Sequence, residues 1–285
     1  MISVVAFQKT IWSRYRSHPR PMPWRRTRDP YRILVSEVML QQTQVARVAD
    51  YYGTFIKTFP DFRALARAKT ADVLLAWQGL GYNRRALALQ KLAREVVERY
   101  GGKLPRGGEA LMKLPGVGPY TAGAIRAFAF NEPDIFIETN IRRVFIHFFF
   151  PIRGNRRKNQ ASVTDAAIRR YIERTLDKEN PREWYWALMD YGAMLGEAAR
   201  SAPGVGRGQG NPNRRSAQYV RQSAFSGSDR EIRGDIVRNL LAKKKVVGSA
   251  LIKSYAEPPA RVSKILDKLA REGFLSREGK YITLE

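Results

Sequence analysis

The sequence predicts an all-α body carrying a small mixed module at its C-terminal end. Three observations predict it. Apolar residues recur at helical spacing through most of the chain. Gly and Pro punctuate those stretches, while strand signals are scarce before the last dozen residues. The composition then shifts at SAPGVGRGQGNPNRRS, 201–216, a stretch rich in Gly, Pro, Asn and Arg that reads as a flexible basic linker.

Taken in order, residues 1–15 read as a helix with Phe7, Ile11 and Trp12 on one face, broken by Pro19, Pro21 and Pro23. Asp29-Pro30 opens a second helix, with Pro at an early position where its missing donor costs little. This helix carries Ile33, Leu34, Val38 and Leu40 and is expected to span SEVMLQQTQV, 36–45. Further helices are expected over 45–59, 70–78, 84–99, 108–113, 120–130, 140–149, 160–176 and 181–196. Beyond the linker, Ile232, Ile236, Leu240 and Leu241 mark one helix, 249–255 a short second and 258–272 a third. The third carries Val262, Ile265, Leu266 and Leu269 on one face. FLSREGKYITLE reads as two short strands around Glu278-Gly279. Helix, helix, helix, hairpin is the order of a winged helix, a module that serves both DNA binding and protein interaction.

The chain has 285 residues, 44% of them hydrophobic, so it is globular in composition. Its 51 Lys+Arg against 26 Asp+Glu give a net charge of +25, which attracts polyanions. No apolar run reaches the roughly 18 residues of a membrane span. The N-terminus lacks the features of a secretory signal, so a cytoplasmic, nucleoid-associated location is expected, with nucleic acid as partner and no membrane. There are no cysteines, which excludes disulfides, thiolate metal sites and iron–sulfur clusters. His18 and His147 are too few for a typical zinc site, so no metal is expected.

Three segments carry chemistry. SEVMLQQTQV places Glu37 in a run rich in amides. LPGVGPYTAGAI, 114–125, is a helix-hairpin-helix signature, in which Gly116 and Gly118 allow a tight turn. The amides after that turn point at a phosphate from a helix N-terminus, a contact that positions DNA without reading it. IETNIRRV, 137–144, supplies Glu138. Two carboxylates and a phosphate grip point to hydrolysis at a sugar in a nucleic-acid backbone. Breaking an N-glycosidic bond needs one carboxyl to protonate the base and another, ionised, to stabilise an oxocarbenium-like sugar. Environments must therefore push the two pKa values apart. Glu37, flanked by Val38, Met39 and Leu40, is placed to stay protonated.

With GLGYNRRA, 79–86, and ALMDYGAM, 187–194, these segments resemble the helix-hairpin-helix superfamily of base-excision DNA glycosylases, and within it the MutY-like adenine glycosylases. The similarity covers roughly 23–194. It implies a two-lobed fold: a glycosylase domain over 1–200, with a six-helix barrel at 28–135 and a second lobe from 1–27 and 136–200. A basic linker at 201–227 and a winged-helix-like domain at 228–285 would follow.

The resemblance implies that Glu37 protonates adenine. Glu138 stands where the family has an aspartate that stabilises the sugar cation; alternatively it only caps the helix starting near Asn140. Asn140 matches a family asparagine that orients these carboxylates. Tyr120 occupies the position at which strand-cleaving relatives carry a lysine, and a phenol forms no Schiff base, so a monofunctional enzyme is implied. Tyr120 either hydrogen-bonds a catalytic carboxylate or simply packs.

Gln41, Gln42 and Thr43 are expected at the base stack, with Tyr82 as a wedge filling the space the target base leaves. Asn83 replaces the family's tyrosine. Trp24, Arg25, Leu40 and Asp190 resemble residues of the base pocket, though Trp24 and Leu40 serve equally as core. Gly116, Val117, Gly118, Tyr120 and Thr121 are the expected DNA grip, and Arg84, Arg85, Arg142 and Arg143 are candidate phosphate contacts whose alternative is a solvated face.

Two family features are missing: the four cysteines that hold a [4Fe-4S] cluster, and the Nudix-like domain that helps recognise 8-oxoguanine. The resemblance implies a cofactor-free, monomeric enzyme that removes adenine opposite 8-oxoguanine or guanine from double-stranded DNA. The alternatives are a mismatch thymine or uracil glycosylase and a non-catalytic DNA-binding regulator.

Overall fold

A computed structural model describes residues 2–151, 162–201, 210–221 and 224–285, and among them it is mostly helical. Two compact units form: Met1–Pro30, Arg106–Gly108 and Gly118–Arg221 make the first, and Tyr31–Pro105, Glu109–Val117 and Gln222–Glu285 the second.

The first unit is built from α1 (Val4–Ser17), α8 (Pro119–Phe130), α9 (Thr139–Phe149), α10 (Asp165–Thr175) and α11 (Pro181–Ser201). Ser3 caps α1 by accepting the Ala6 amide at 3.2 Å. The buried Phe7 ring lies 5.4 Å from Phe145, 5.0 Å from Phe149 and 5.9 Å from Trp184, so one aromatic cluster ties α1 to α9 and α11. The last two helices meet closely because Gly192 has no side chain: a Cβ there would lie 2.3 Å from the Asn140 carbonyl oxygen. Asn131, in the left-handed region at φ 54°, ends α8.

The second unit holds α2 (Pro30–Leu40), α3 (Val45–Thr58), α4 (Phe62–Arg67), α5 (Thr70–Ala76), α6 (Arg84–Tyr100) and α7 (Gly108–Met112). Leu34, Val48, Phe55, Leu65, Trp77, Leu92 and Val96 are its core. Gly101, at φ 63°, stops α6. The same unit includes α12 (Asp229–Lys243), β1 (Lys245–Val247), α13 (Gly248–Lys253), α14 (Pro259–Arg271), β2 (Leu275–Glu278) and β3 (Tyr281–Leu284). The strands form an antiparallel sheet in the order β1-β3-β2, with Ile282 opposite Val246 on one side and Arg277 on the other. Val262, Ile265, Leu266 and Leu269 are buried on α14, as their spacing predicts. This is a winged-helix order with a third short strand.

Several boundaries differ from expectation. The second helix stops at Leu40 instead of running through SEVMLQQTQV; Gln42 sits at φ 56°, and Thr43 closes a turn onto the Leu40 carbonyl at 3.3 Å. α4 was not expected; Asp61 caps it by accepting the Ala64 amide at 2.8 Å. α10 begins at Asp165, because Thr164 caps it and Val163 is drawn into a parallel bridge with Ser216. The expected helix start at 160 lies outside the described residues. α11 continues to Ser201. Of the expected basic linker, 202–209 lie outside the described residues. Pro212–Arg215 form a 3-10 turn on α9, with Asn213 and Ser216 buried, so this half is packed structure. Among the described residues no helix is long and apolar enough to cross a membrane.

Candidate functional site

Glu37 lies one turn before the end of α2 and is only 3% exposed, between Ser36 and Val38, which are buried too. Gln41 and Gln42 follow on the turn that ends this helix. Gln42 is exposed, with φ 56°, a region non-glycine residues rarely adopt.

A second unusual turn lies beside it. Gly79, Gly81 and Tyr82 all have positive φ, with Tyr82 at 48°. Arg85 holds both turns. Its guanidinium donates to the carbonyls of Val38 at 3.0 Å, Met39 at 2.7 Å and Gln41 on one side. On the other it donates to Leu80 and Gly81, each at 3.0 Å, and to Thr43 Oγ1 at 2.9 Å. Arg85 is 9% exposed, and burial pushes its pKa down to about 10. It is therefore a brace, and its expected role as a phosphate contact is corrected. A concave space lined by Val38, Gln41, Arg84, Ala88, Pro115 and Gly116 brings the amide turn, the start of α6 and the hairpin glycine together.

In the hairpin, Gly116 has φ 77°, and a Cβ there would lie 2.9 Å from Ala88 Cβ, so only glycine fits. Gly118 caps α8, with Pro119 at its first position. Val117 is buried, and its amide donates to the Leu114 carbonyl at 3.2 Å. The turn itself thus uses that amide. Thr121 is 2% exposed, so its side chain belongs to the core.

Glu138 caps α9. Its carboxylate accepts the Ile141 amide at 2.8 Å and the Asn140 side-chain amide at 3.3 Å. Desolvation raises its pKa, opposed by backbone hydrogen bonds at Asn140 and Ile141 and by the charges of Arg143 and Arg142. Asn140 in turn accepts from Arg143 at 2.6 Å, so a chain of hydrogen bonds orients the carboxylate. Arg143 is 7% exposed and also donates to Asn211 Oδ1 at 2.9 Å and to the Gly192 carbonyl at 2.5 Å. Arg142 is held bidentately by Asp165 at 2.7 and 2.8 Å. Neither is laid out for a phosphate: one is internal, the other neutralised.

Trp24 is buried, and Asp190 is bound bidentately by Arg25 at 2.7 and 2.9 Å. All three belong to the first unit, whereas Leu40 ends α2 in the second. Tyr120 packs edge-on to Phe136 at 5.7 Å. Arg84 is exposed but paired with Glu272, from Nε at 2.7 Å. Glu272 also binds Arg233. Burial raises the Glu272 pKa, but the two arginines outweigh it and hold the carboxylate ionised, with a net shift downward. Sequence reasoning missed Glu272, Arg230 and Arg233, since a charged residue in a helical run carries no sequence signal for a partner 39 positions away, as for Arg233 with Glu272, or 148 and 188 away, as for Arg230 with Tyr82 and Arg84 with Glu272.

The chain has no cysteine, and among the described residues no group of three or more His, Asp or Glu could hold a metal ion. The iron–sulfur cluster of the resembled family therefore has no donor set here and does not fit. Where thiolates would hold the chain after α11, Asn211 is tied to Arg143 and Arg215 donates to the Phe150 carbonyl at 2.5 Å.

A glycine hairpin that opens the next helix, with Gly116 at positive φ and Pro119 at the first helical position, defines a helix-hairpin-helix chain. Residues 35–183 match the family model described as HhH-GPD superfamily base excision DNA repair protein, and the chain belongs to that superfamily. It is 34% identical over 272 residues to an adenine DNA glycosylase of Mycobacterium tuberculosis, covering 92% of this chain and 87% of that one. It is 38% identical over 201 residues to an adenine DNA glycosylase of Rattus norvegicus, covering 67% of this chain. The match spans only 38% of that relative's length. Among solved structures, a thermostable thymine-DNA glycosylase matches with a TM-score of 0.60 and 30% identity, over 71% of this chain and 89% of that one. A trapped endonuclease III–DNA covalent intermediate matches in fold, with a TM-score of 0.55 and 20% identity, over 71% and 94%.

Proposed function

We propose that this chain is a monofunctional adenine DNA glycosylase, acting as a cofactor-free monomer on double-stranded DNA with adenine opposite 8-oxoguanine or guanine. The observation that carries the reading is Glu37: a carboxyl 3% exposed, on a helix end that runs straight into the braced turns of Gln42 and Tyr82. The adenine glycosylase relatives support the choice of base. The net charge of +25 supports a DNA partner and a location with the chromosome, in the cytoplasm.

In this reading the target nucleotide leaves the stack and Tyr82 fills its place. Glu37 gives its proton to a ring nitrogen of adenine as the bond to C1′ breaks, and the bonding electrons leave with the base. Ionised Glu138, held by Asn140, stabilises the sugar cation. Water then bonds to C1′ and returns a proton to the carboxylates, leaving an abasic site. Tyr120 offers no amine, so the strand stays intact until alkali is added.

The test is single-turnover incubation with duplexes containing A opposite 8-oxoguanine, A opposite G and T opposite G, followed by alkali. Adenine release is expected, lost in Glu37→Gln while DNA affinity stays within a few-fold. Wild-type rates in that variant would remove Glu37 from the chemistry. Preferential release of thymine from T opposite G, the reading favoured by the thymine-DNA glycosylase likeness, would replace adenine as the substrate.

A further inference from the structure

The C-terminal helices reach the reaction through the wedge. In the second unit, Arg230 at the start of α12 donates from Nη1 to the Tyr82 hydroxyl at 2.9 Å. Its guanidinium also lies 6.0 Å from the centre of the Tyr82 ring, while Arg85 approaches the same ring at 5.5 Å. A phenol ring is fixed by two things: where its body sits and where its hydroxyl points. Arg85 and Arg230 supply the first as paired cations on the π system, and the Arg230 hydrogen bond supplies the second. The contact has support on both sides. Arg230 donates also to the Ala224 carbonyl at 3.2 Å. Glu272, just past α14, clasps Arg84 of α6 and Arg233 of α12 together, so the appended helices are held against the start of α6, two residues from Tyr82. Tyr82 itself is in a backbone conformation, φ 48°, that persists only when its surroundings over-determine it.

We propose that Arg230 is a positioning residue for DNA interrogation: it sets the Tyr82 ring in the pose that enters the base stack, and the C-terminal module is docked through Glu272 to deliver it. This rests on the reading of Tyr82 as a wedge, and on nothing the catalytic carboxylates do.

The experiment uses the full chain and a duplex with 2-aminopurine beside the mismatch, whose fluorescence rises on unstacking whether or not a base is excised. Arg230→Gln and Tyr82→Phe are each expected to cut the fluorescence rise and the single-turnover rate by about tenfold, the factor one charge-assisted hydrogen bond supplies. The double variant should lose little more than Arg230→Gln alone, because Tyr82→Phe removes only the hydrogen bond that Arg230→Gln removes together with its cation–π contact. Arg230→Lys, which keeps a donor and the charge, should recover part of the loss. Thermal melting of each variant separates these effects from unfolding. Multiplying losses, near a hundredfold in the double variant, would make Arg230 an independent DNA contact and overturn the proposal. So would wild-type behaviour of Arg230→Gln, or a larger fluorescence rise, which would mean that Arg230 holds the wedge back. A normal rise without excision would leave the inference standing while the proposed activity failed. Absence of any rise with the unmodified chain would remove the wedge, and the inference with it, while excision could still stand.

Discussion

Arg85 offers the sharpest test of the difference between charge that binds DNA and charge that builds the protein. In Arg85→Met, six acceptors lose a donor. Three of these are carbonyls in buried hydrogen bonds, those of Val38, Met39 and Leu80. The carbonyls of Gln41 and Gly81 and the Thr43 hydroxyl are nearer solvent and can recruit water. The Leu80 carbonyl keeps Thr43 Oγ1 as a donor at 3.2 Å, so two buried acceptors are left unsatisfied, and at about 1 kcal/mol each they cost about 2 kcal/mol. The cation–π contact with Trp77, at 5.4 Å, is also lost and adds about 1 kcal/mol. Methionine keeps most of the side chain's bulk, so little cavity forms. The total, about 3 kcal/mol, should lower the melting temperature by roughly 6 °C for a body of this size.

The assays are thermal melting and DNA affinity across a salt series. A brace predicts a large loss of stability, faster proteolysis at the Gln42 and Tyr82 turns, and an unchanged salt slope. A phosphate contact predicts the reverse: an unchanged melting temperature and a slope shallower by about 0.9. That second pattern would refute the reasoning. Arg85→Lys should fall between the wild type and Arg85→Met, since an ammonium keeps the charge but has too few donors, in the wrong geometry, to serve both turns.

Two further outcomes follow from the first unit. If ionised Glu138 stabilises the sugar cation, then its raised pKa moves the acidic limb of activity upward: activity falls as pH drops through a value above the ordinary carboxylate range near about 4.3. Single-turnover rates against pH should show that limb, and Glu138→Gln should abolish it in the residual rate; a limb unchanged in the variant would leave Glu138 as a helix cap alone. Gly192→Ala should destabilise the chain by about 2 to 3 kcal/mol by melting, despite the gain in helix propensity, because the new methyl meets backbone atoms of Asn140 that cannot step aside; a neutral or stabilising result would show that α9 and α11 are looser than described.

Most helices were legible because their signals are local: a period of apolar residues, a proline at the first position, a glycine at the end. Two boundaries moved because of a distant partner. Nothing within SEVMLQQTQV says that its helix must stop at Leu40; the stop accompanies Arg85, some 45 residues on, which takes the carbonyls of Val38 and Met39. The start of α10 moved for a similar reason, since Val163 pairs with Ser216 across a gap in sequence. Residue types at the site were readable from motif and spacing, but their exposure was not. GLGYNRRA offers two adjacent arginines of equal claim on a phosphate. The structure buries one and pairs the other with Glu272. An Asp61 cap was visible in principle, three residues ahead of the Ala64 amide it accepts, and marks α4 without any long-range information.

Several arginines, some of them buried, share a physical logic. A helix C-terminus leaves carbonyls without intrahelical donors and carries the negative end of the macrodipole. Arg85 meets the last carbonyls of α2. Arg182 donates to those of Phe128 and Ala129 at the end of α8, at 2.5 and 3.2 Å, and Arg215 to that of Phe150 just beyond α9. Arg63 reaches the Gly101 carbonyl past α6 at 2.9 Å. Burial lowers the pKa of Arg85, Arg182 and Arg215, so each carries a desolvation cost that these carbonyl contacts offset. A guanidinium does this better than an ammonium, because its planar fork reaches several carbonyls at once. Part of the large positive charge therefore closes helices in the interior and makes no direct contact with phosphate. The remainder, on the surface, is what a polyanion meets, so a count of Lys and Arg overstates the number of phosphates the chain can neutralise.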